Sequence, residues 1–417
     1  MTLSLEEAYK TFAAALAGMQ DDARHEKVTL AAAIGRSLAT EIRARRDSPA
    51  ADTSAMDGYA LRAADTPGHL ALAPEVAAGD KRRALPAKSA CPIFTGGLLP
   101  EGADTVLIQE DAKIENGALV LASPYPAARW LRRHGQDFRR GDLLLAPPRQ
   151  ITTRDLALAA TGNHSVLNVR ERPAVALMSS GSELVAPGSD DIAAHQTPAS
   201  SRVALAAAIR MWGGVALTCP LVPDDPPATR AAFENAFARR PRIILTTGGA
   251  SVGKHDLMRP ALAGLHGLVW REWFYKVAMK PGMPVFAGVL SDSGHAAVVI
   301  GAPGNPVSSL VTALVFLRPA LRFFLGLGRA DTFLAALDPR PSPLASDIGT
   351  GGGRYEFLRA RHDENGRLHL LADQDSSLLG NLALSDCLAL RPPNDPPRAA
   401  GAEMLTVSWR FAADSAI

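Results

Sequence analysis

Three segments concentrate residue types suited to holding anions: TTGGASVGKHD (246–256), KVAMKPGMP (276–284) and GAPGNPVSS (301–309). Gly248 to Lys254 fits the spacing GxxxxGK, but His255 follows where a nucleotide-binding P-loop needs Ser or Thr to ligate magnesium. A Gly-Gly turn between a strand and a helix still offers free backbone N–H groups, which suit a phosphate or a similar anion. Asp256 lies just beyond that turn, and a carboxylate beside a phosphate site can hold Mg²⁺. Lys276 and Lys280 stand four residues apart, so helix and strand periodicity both put them on roughly the same side. Only 8 of the 44 basic residues are lysine, yet two fall in this short segment, as expected if compact ammonium charges are wanted for an anion. A solvated charged face is the plain alternative.

Other segments carry weaker signals. GAPGNP fixes backbone direction and lets a ligand approach closely, with Ser308 and Ser309 as hydroxyl donors or simple helix caps. SAMDGYAL (54–61) places Asp57 in a Gly-containing bend, where an ordinary Asx-turn is the simplest reading. Arg129, Arg132, Arg133, Arg139 and Arg140 are interleaved with Trp130 and Phe138 but diluted by Asp137 and Asp142, and they read as a solvated or interface patch. HExxH and a complete GxGxxG are missing, and the ten histidines show no ligand spacing. Those gaps argue against zincin and Rossmann dehydrogenase chemistry. Cys91, Cys219 and Cys387 are too far apart for a CxxC motif or a disulfide ladder, and a reducing compartment is expected.

The elements that must position these groups follow from the pattern along 417 residues, a length suited to several domains. With 47% hydrophobic and 21% charged residues the composition suits packed domains, and a formal charge of +2 is too small for non-specific nucleic-acid binding. Ser4 and Glu7 form a capping box ahead of a first helix, and 47–137 reads as a small β-rich domain. A strand (143–145) and a capped helix (153–160) pack back on the first helix in this reading, making 1–46 with 138–172 one discontinuous α+β unit. From 173 to 328 apolar runs alternate with helices, which predicts an α/β domain with a mostly parallel sheet and helices on both faces. Its ligand crevice then lies beyond the carboxyl ends of the strands, where SSGSEL (179–184), TTGG and GAPGNP gather. Residues 329–417 read as a second β-rich flanking domain, barrel-like in the strand pattern. The apolar stretch 307–327 carries Arg318, Pro319 and Arg322 and reads as a buried helix rather than a membrane span. The acidic N-terminal segment lacks the pattern of a signal peptide, so a cytoplasmic location is expected.

Taken in order, SAMDGYAL, FTGGLLPEGADTVLIQED (94–111), GQDFRRGD (135–142), SSGSELV (179–185), DDPP (224–227), TTGGASVGKHD, KVAMKPGMP and GAPGNPVSS resemble the molybdopterin molybdenumtransferase family, which includes the matching domain of gephyrin-type proteins. The resemblance covers nearly the whole chain. It implies insertion of molybdate into adenylylated molybdopterin with release of AMP, assisted by Mg²⁺. It also implies an elongated homodimer, with Asp57 acting on the partner's cleft, and a molybdopterin adenylyltransferase and recipient molybdoenzymes as pathway partners. Asp57, Thr95, Asp137, Glu183, Asp224 and Asp256 match the family's polar and acidic positions, and Lys276 and Lys280 its cationic ones. Gly248, Gly249 and Ser251 match its substrate-binding turn, and Pro303 and Pro306 the turn that shapes its cleft. Arg359 in GGGRYEFLRA (351–360) and Ser376 in QDSSLLG (374–380) match its molybdate side, joined by Lys280 and Ser308.

On this reading Asp57, Glu183 and Asp256 hold the metal. Lys276, Lys280 and Arg359 offset two anions that repel each other at several kcal/mol in a low dielectric. Three positions depart from the family pattern: Ser182 stands for an acidic residue, Ser201 for an Asn, and Asp375 for a Gly. A noncatalytic molybdopterin carrier or scaffold and a molybdopterin adenylyltransferase are the alternative functions.

Overall fold

Strand residues alternate between two faces, and the inner strands Ala174–Ser180, Ile243–Thr247 and Ala296–Ala302 bury both. The computed structural model describes residues 2–19, 24–249, 257–328 and 330–409. Six strands form the central sheet in the order Val215–Val222, Ala174–Ser180, Ile243–Thr247, Ala296–Ala302, Phe286–Ser291 and Val269–Tyr275. The first four pair in parallel and the last two are added antiparallel. Val175, Leu177, Ile243 and Leu245 share one core with Leu205 and Ile209 of helix Ser200–Met211. Ala176, Met178 and Ile244 share another with Phe233 and Phe237 of helix Pro226–Ala238 and Met258 of helix Met258–Ala263. The chain runs from the first strand to its neighbour on one side and then crosses to the neighbour on the other. That reversal opens a crevice at the carboxyl ends of Ala174–Ser180 and Ile243–Thr247.

The chain forms two compact units. One comprises Met1–Glu26, Gly35–Ser37 and Val169–Ile417, and the other Lys27–Ile34 and Leu38–Asn168. The first unit contains the central sheet, the C-terminal strands and the first helix, Leu5–Ala17, which is capped by Ser4 and Glu7 as the sequence suggests. This helix departs from the expected grouping with 138–172. Its Tyr9, Phe12 and Leu16 are apolar and evenly spaced on one face, and they are buried in the α/β core.

Pro306–Phe324 is a continuous helix long and apolar enough to cross a membrane, and 83% of it is buried inside the protein. It widens into a π turn over Ala313–Leu317, directly before Pro319, which has no N–H to donate to the preceding turn. The C-terminal sheet runs Met279–Lys280, Tyr355–His362, Cys387–Arg391, Glu403–Ser408, Arg340–Pro343, with Leu368–Leu370 paired to Tyr355–His362. The short strand Met279–Lys280 therefore ties the α/β part to the C-terminal strands, with Lys280 opposite Glu356.

The second unit holds a six-stranded sheet in the order Thr105–Ile108, Gly58–Leu61, Ser89–Ile93, Gly68–Leu72, Ala118–Leu121, Lys113–Glu115. Its pairs are antiparallel except Gly68–Leu72 with Ser89–Ile93. Helix Thr153–Thr161 in this unit carries a capping box between Thr152 and Asp155.

Phe316 is fully buried in the π turn, with its ring centroid 5.3 Å from those of both Phe12 and Phe274. Phe316→Ala removes the ring on which the first helix and the sheet meet. It should lower stability by about 3–5 kcal/mol, read as a fall in the denaturant midpoint; an unchanged midpoint would contradict this packing.

Candidate active site

The crevice is built by backbone. Gly248 has φ +82° and Gly249 φ +61°, conformations that L side chains rarely adopt. A Cβ on Gly248 would collide with the Ser180 carbonyl, and one on Gly249 would lie 2.9 Å from Met258 Cγ. A Cβ on Gly304 would in turn sit 3.3 Å from Gly248 Cα, so the ends of three strands converge at one point. Ser201 locks the third loop by donating from Oγ to the Gly304 carbonyl at 3.1 Å. An Asn there would bring a longer reach, and the shorter Ser makes this one bond at close range.

Asp224 clamps the first loop. Its Oδ1 accepts from Ser180 Oγ at 3.1 Å and its Oδ2 from Ser182 N at 3.1 Å, while Asp224 N donates to Ser182 Oγ at 3.0 Å. Ser182 can accept that N–H beside a carboxylate without adding charge, which an acidic residue would do. Glu183 differs from Asp224. Its side chain is exposed, its two oxygens lie over Gly181, and it makes no hydrogen bond or ion pair among the described residues. Pro303 is buried at the foot of the GAPGNP turn, and Pro306 begins the long helix. Asn305 caps that helix by accepting from Val307 N at 3.2 Å. Ser308 is 6% exposed, whereas the neighbouring Ser309 bonds the Pro306 carbonyl. Ser251 and Asp256 lie outside the described residues.

The two lysines do not share a periodic element. Lys276 follows strand Val269–Tyr275 with φ +61°, a left-handed residue at which the chain turns, and its Nζ lies 5.0 Å from the Tyr275 ring centroid. The expectation that periodicity aligns it with Lys280 is corrected by that turn. Lys280 stands in strand Met279–Lys280, half-exposed, with Nζ 3.4 Å from Oε1 of the largely buried Glu356.

Arg359 is 1% exposed and has different work from a free cation. Its Nη1 donates to the carbonyls of Asp375 at 2.8 Å and Leu378 at 3.2 Å, its Nη2 to that of Asp373 at 3.3 Å, and its Nε to Gln374 Oε1 at 3.4 Å. The guanidinium thus holds the loop that carries Ser376, and the expectation of a guanidinium free to meet an anion is corrected by these bonds. The Asp375 carboxylate is turned to its own loop, accepting from Ser377 N and Oγ, both at 2.8 Å.

In the second unit Asp57 and Thr95 form a pair. Thr95 donates to Asp57 Oδ1 from N at 2.7 Å and from Oγ1 at 2.8 Å, and Oδ2 has no partner among the described residues. These bonds, the backbone one first, hold the Asp57 carboxyl below the usual carboxylate range. Asp137 is exposed, and its N–H anchors it to the Ser48 carbonyl at 2.9 Å.

Sequence reasoning missed the residues that hold these groups in place: Glu356, Gln374 and Ser180. Glu356 lies in the same GGGRYEFLRA segment as Arg359, but only the parallel register with Met279–Lys280 places it against Lys280.

An α/β crevice at the carboxyl ends of parallel strands, built by glycine turns and carrying Asp224 and Glu183 on its loops, defines a class of ligand-binding α/β enzyme. Family models agree with that class segment by segment: "MoeA N-terminal region (domain I and II)" over residues 3–162, "Probable molybdopterin binding domain" over 176–322, and "MoeA C-terminal region (domain IV)" over 341–409. The molybdopterin molybdenumtransferase of Synechococcus elongatus is 33% identical over 385 residues, covering 90% of this chain and 92% of the relative. Molybdopterin molybdenumtransferase 2 of Mycobacterium tuberculosis is 32% identical over 359 residues, covering 83% and 85%. The chain belongs to the molybdopterin molybdenumtransferase family of enzymes. In fold it resembles the crystal structure of the molybdopterin biosynthesis MoeA protein from Pyrococcus horikoshii OT3, with TM-score 0.79, 24% identity, and coverage of 98% of this chain and 100% of that one.

Asp57 reports the two Thr95 hydrogen bonds of the second unit. Its depressed folded pKa contributes stability that is present above the unfolded value of about 3.9 and is lost as pH falls through the folded one. Thr95→Val removes the hydroxyl donor and keeps the N–H, so the Asp57 titration midpoint, followed by carboxyl NMR, should move part of the way up. A midpoint that stays in place would show that the hydroxyl contributes nothing.

Proposed function

We propose that the chain inserts molybdate into adenylylated molybdopterin and releases AMP, with Mg²⁺ assisting and with two copies forming a homodimer. The observation that carries this reading is the convergence of Ser180, Gly248 and Gly304 at the carboxyl ends of the central strands. Backbone N–H groups in left-handed glycine turns are suited to a phosphate, because no Cβ keeps the anion away. A hard divalent cation seeks carboxylate oxygens that are not already engaged. Glu183 meets that condition, whereas both oxygens of Asp224 accept hydrogen bonds. Glu183 would hold Mg²⁺ within the α/β unit together with Asp256, and Asp57 offers an open Oδ2 of the same donor type on its own unit. When bound, the ion supplies Lewis acidity toward a phosphoryl oxygen.

The protein's own groups do the rest. Asp224 fixes the loop that aims Glu183, and Gly248 and Gly249 present N–H groups to phosphate. Lys276 and Lys280 bring positive charge toward molybdate and phosphate, whose mutual repulsion otherwise opposes binding both. Glu356 keeps the Lys280 ammonium in one place at 3.4 Å without neutralising it, since half of the lysine side chain remains exposed. Ser308 and Ser376 are hydroxyl donors for oxometalate oxygens, and Arg359 shapes the loop of Ser376. Thr95, Asp137, Ser251, Pro303 and Pro306 complete the proposed substrate contacts.

The test is AMP formation from adenylylated molybdopterin, with and without molybdate, in the presence of Mg²⁺. The wild-type chain should release AMP in a molybdate-dependent manner, with Lys280→Ala and Asp256→Asn each slower by about a hundredfold. Absence of AMP release from properly loaded substrate sinks the reading. Pterin retention indifferent to both variants would identify a carrier, and ATP consumption without adenylylated pterin an adenylyltransferase.

A further inference from the structure

The C-terminal sheet brings together three residues that sequence spacing keeps apart. Strands Tyr355–His362 and Cys387–Arg391 run antiparallel with Ala360 opposite Cys387, which carries His362 over Asp386 and Cys387. His362 Nδ1 lies 3.3 Å from Asp386 Oδ1 and 3.9 Å from Cys387 Sγ, and all three ligand atoms fall within 4.8 Å of one another. We propose that His362, Asp386 and Cys387 form a binding site for a zinc-like divalent transition-metal ion, with its fourth position open toward the adjoining cavity.

Hydrogen-bond directions fix which atoms here are donors and which are acceptors. Thr406 Oγ1 donates its single proton to the Arg340 carbonyl at 3.1 Å, so its contact with Ser342 Oγ, also 3.1 Å, must take the Ser342 proton. Ser342 Oγ then accepts from His362 Nε2 at 3.0 Å, which puts the proton of the neutral imidazole on Nε2 and leaves a lone pair on Nδ1. Asp386 Oδ2 is held by the His362 N–H at 3.0 Å, while the buried Oδ1 faces Nδ1 and the Cys387 thiol hydrogen-bonds toward these two acceptors. A lone pair and a carboxylate oxygen thus face each other beside a thiol, the only proton source among the three.

Zinc fits that arrangement in geometry and in charge. Tetrahedral ligation at about 2.0–2.1 Å for N and O and about 2.3 Å for S separates N and O by about 3.3 Å and N and S by about 3.6 Å, close to the spacings present. Binding replaces the Cys387 proton, which is released to solvent; thiolate, carboxylate and M²⁺ then sum to zero, so the half-buried centre carries no net charge. Ser342 is the outer partner that a metal-bound histidine normally has on its other nitrogen. The cavity of about 400 Å³ at the site is also lined by Arg318 and Arg340, with Asp338 pairing Arg340 at 3.2 Å. Those arginines favour an anion in the fourth position.

The experiment uses the full chain, stripped with a chelator and titrated with Zn²⁺ by calorimetry and with Co²⁺ by absorption. One equivalent of Zn²⁺ should bind with proton release, and Co²⁺ should give a thiolate-to-metal charge-transfer band. Cys387→Ala should abolish the band, Cys219→Ala should keep it, and Asp386→Asn should weaken Zn²⁺ binding at least tenfold. If a ligand variant does not fold, Ser342→Ala keeps all three ligands and should still weaken binding by about 10–100-fold. Absence of the band in the wild type, or a band that survives Cys387→Ala, overturns the proposal.

Discussion

The candidate active site depends on one steric constraint: the backbone of residue 248 lies so close to the Ser180 carbonyl that no side chain fits between them. That contact brings the ends of two adjacent parallel strands together where the connection reverses, and Gly304 closes the third side. Ser180, Ser182, Asp224 and Ser201 are tied into this junction by hydrogen bonds. Ser180 serves both parts, since its carbonyl borders Gly248 while its hydroxyl donates to Asp224. A shift in one loop therefore reaches the others through packed backbone rather than through flexible side chains.

Much of the fold was legible because burial on both faces of a parallel sheet leaves long apolar runs in the chain. Ala174–Ser180, Val215–Val222 and Ala296–Ala302 fall within 173–328, where apolar runs alternate with helices, and the buried helix of 307–327 appears as Pro306–Phe324. Loop glycines were legible for a similar reason, because close backbone approach tolerates no other residue. Register was not legible. Nothing local to Glu356 says that it stands opposite Lys280, and nothing local to His362 says that it meets Asp386 and Cys387. The left-handed turn at Lys276 was also hidden, since lysine carries no signal for positive φ, and a periodicity argument fails once the chain turns.

The carboxylates divide according to what surrounds them. Asp224 and Asp57 each accept hydrogen bonds from a neighbouring loop, which orients those loops and leaves fewer free lone pairs. Glu183 has its backbone carbonyl engaged by Thr197 N but its side chain free among the described residues. Its oxygens thus stay available for the cation role proposed for them.

The cations divide in the same way, and their chemistry explains why. Most basic residues of the chain are arginine, and Arg359 shows what a planar fork does well: it bonds three carbonyls and an amide oxygen at once and fixes a loop. A guanidinium so engaged is a poor choice for a charge that must meet and release an anion. An ammonium is compact, strongly hydrated and tethered by a flexible stem, so it can stay partly exposed beside a single carboxylate. Lys280 against Glu356 has that form. Arg359 and Lys280 therefore differ as the proposed chemistry requires: the arginine holds a loop, and the lysine keeps its charge available.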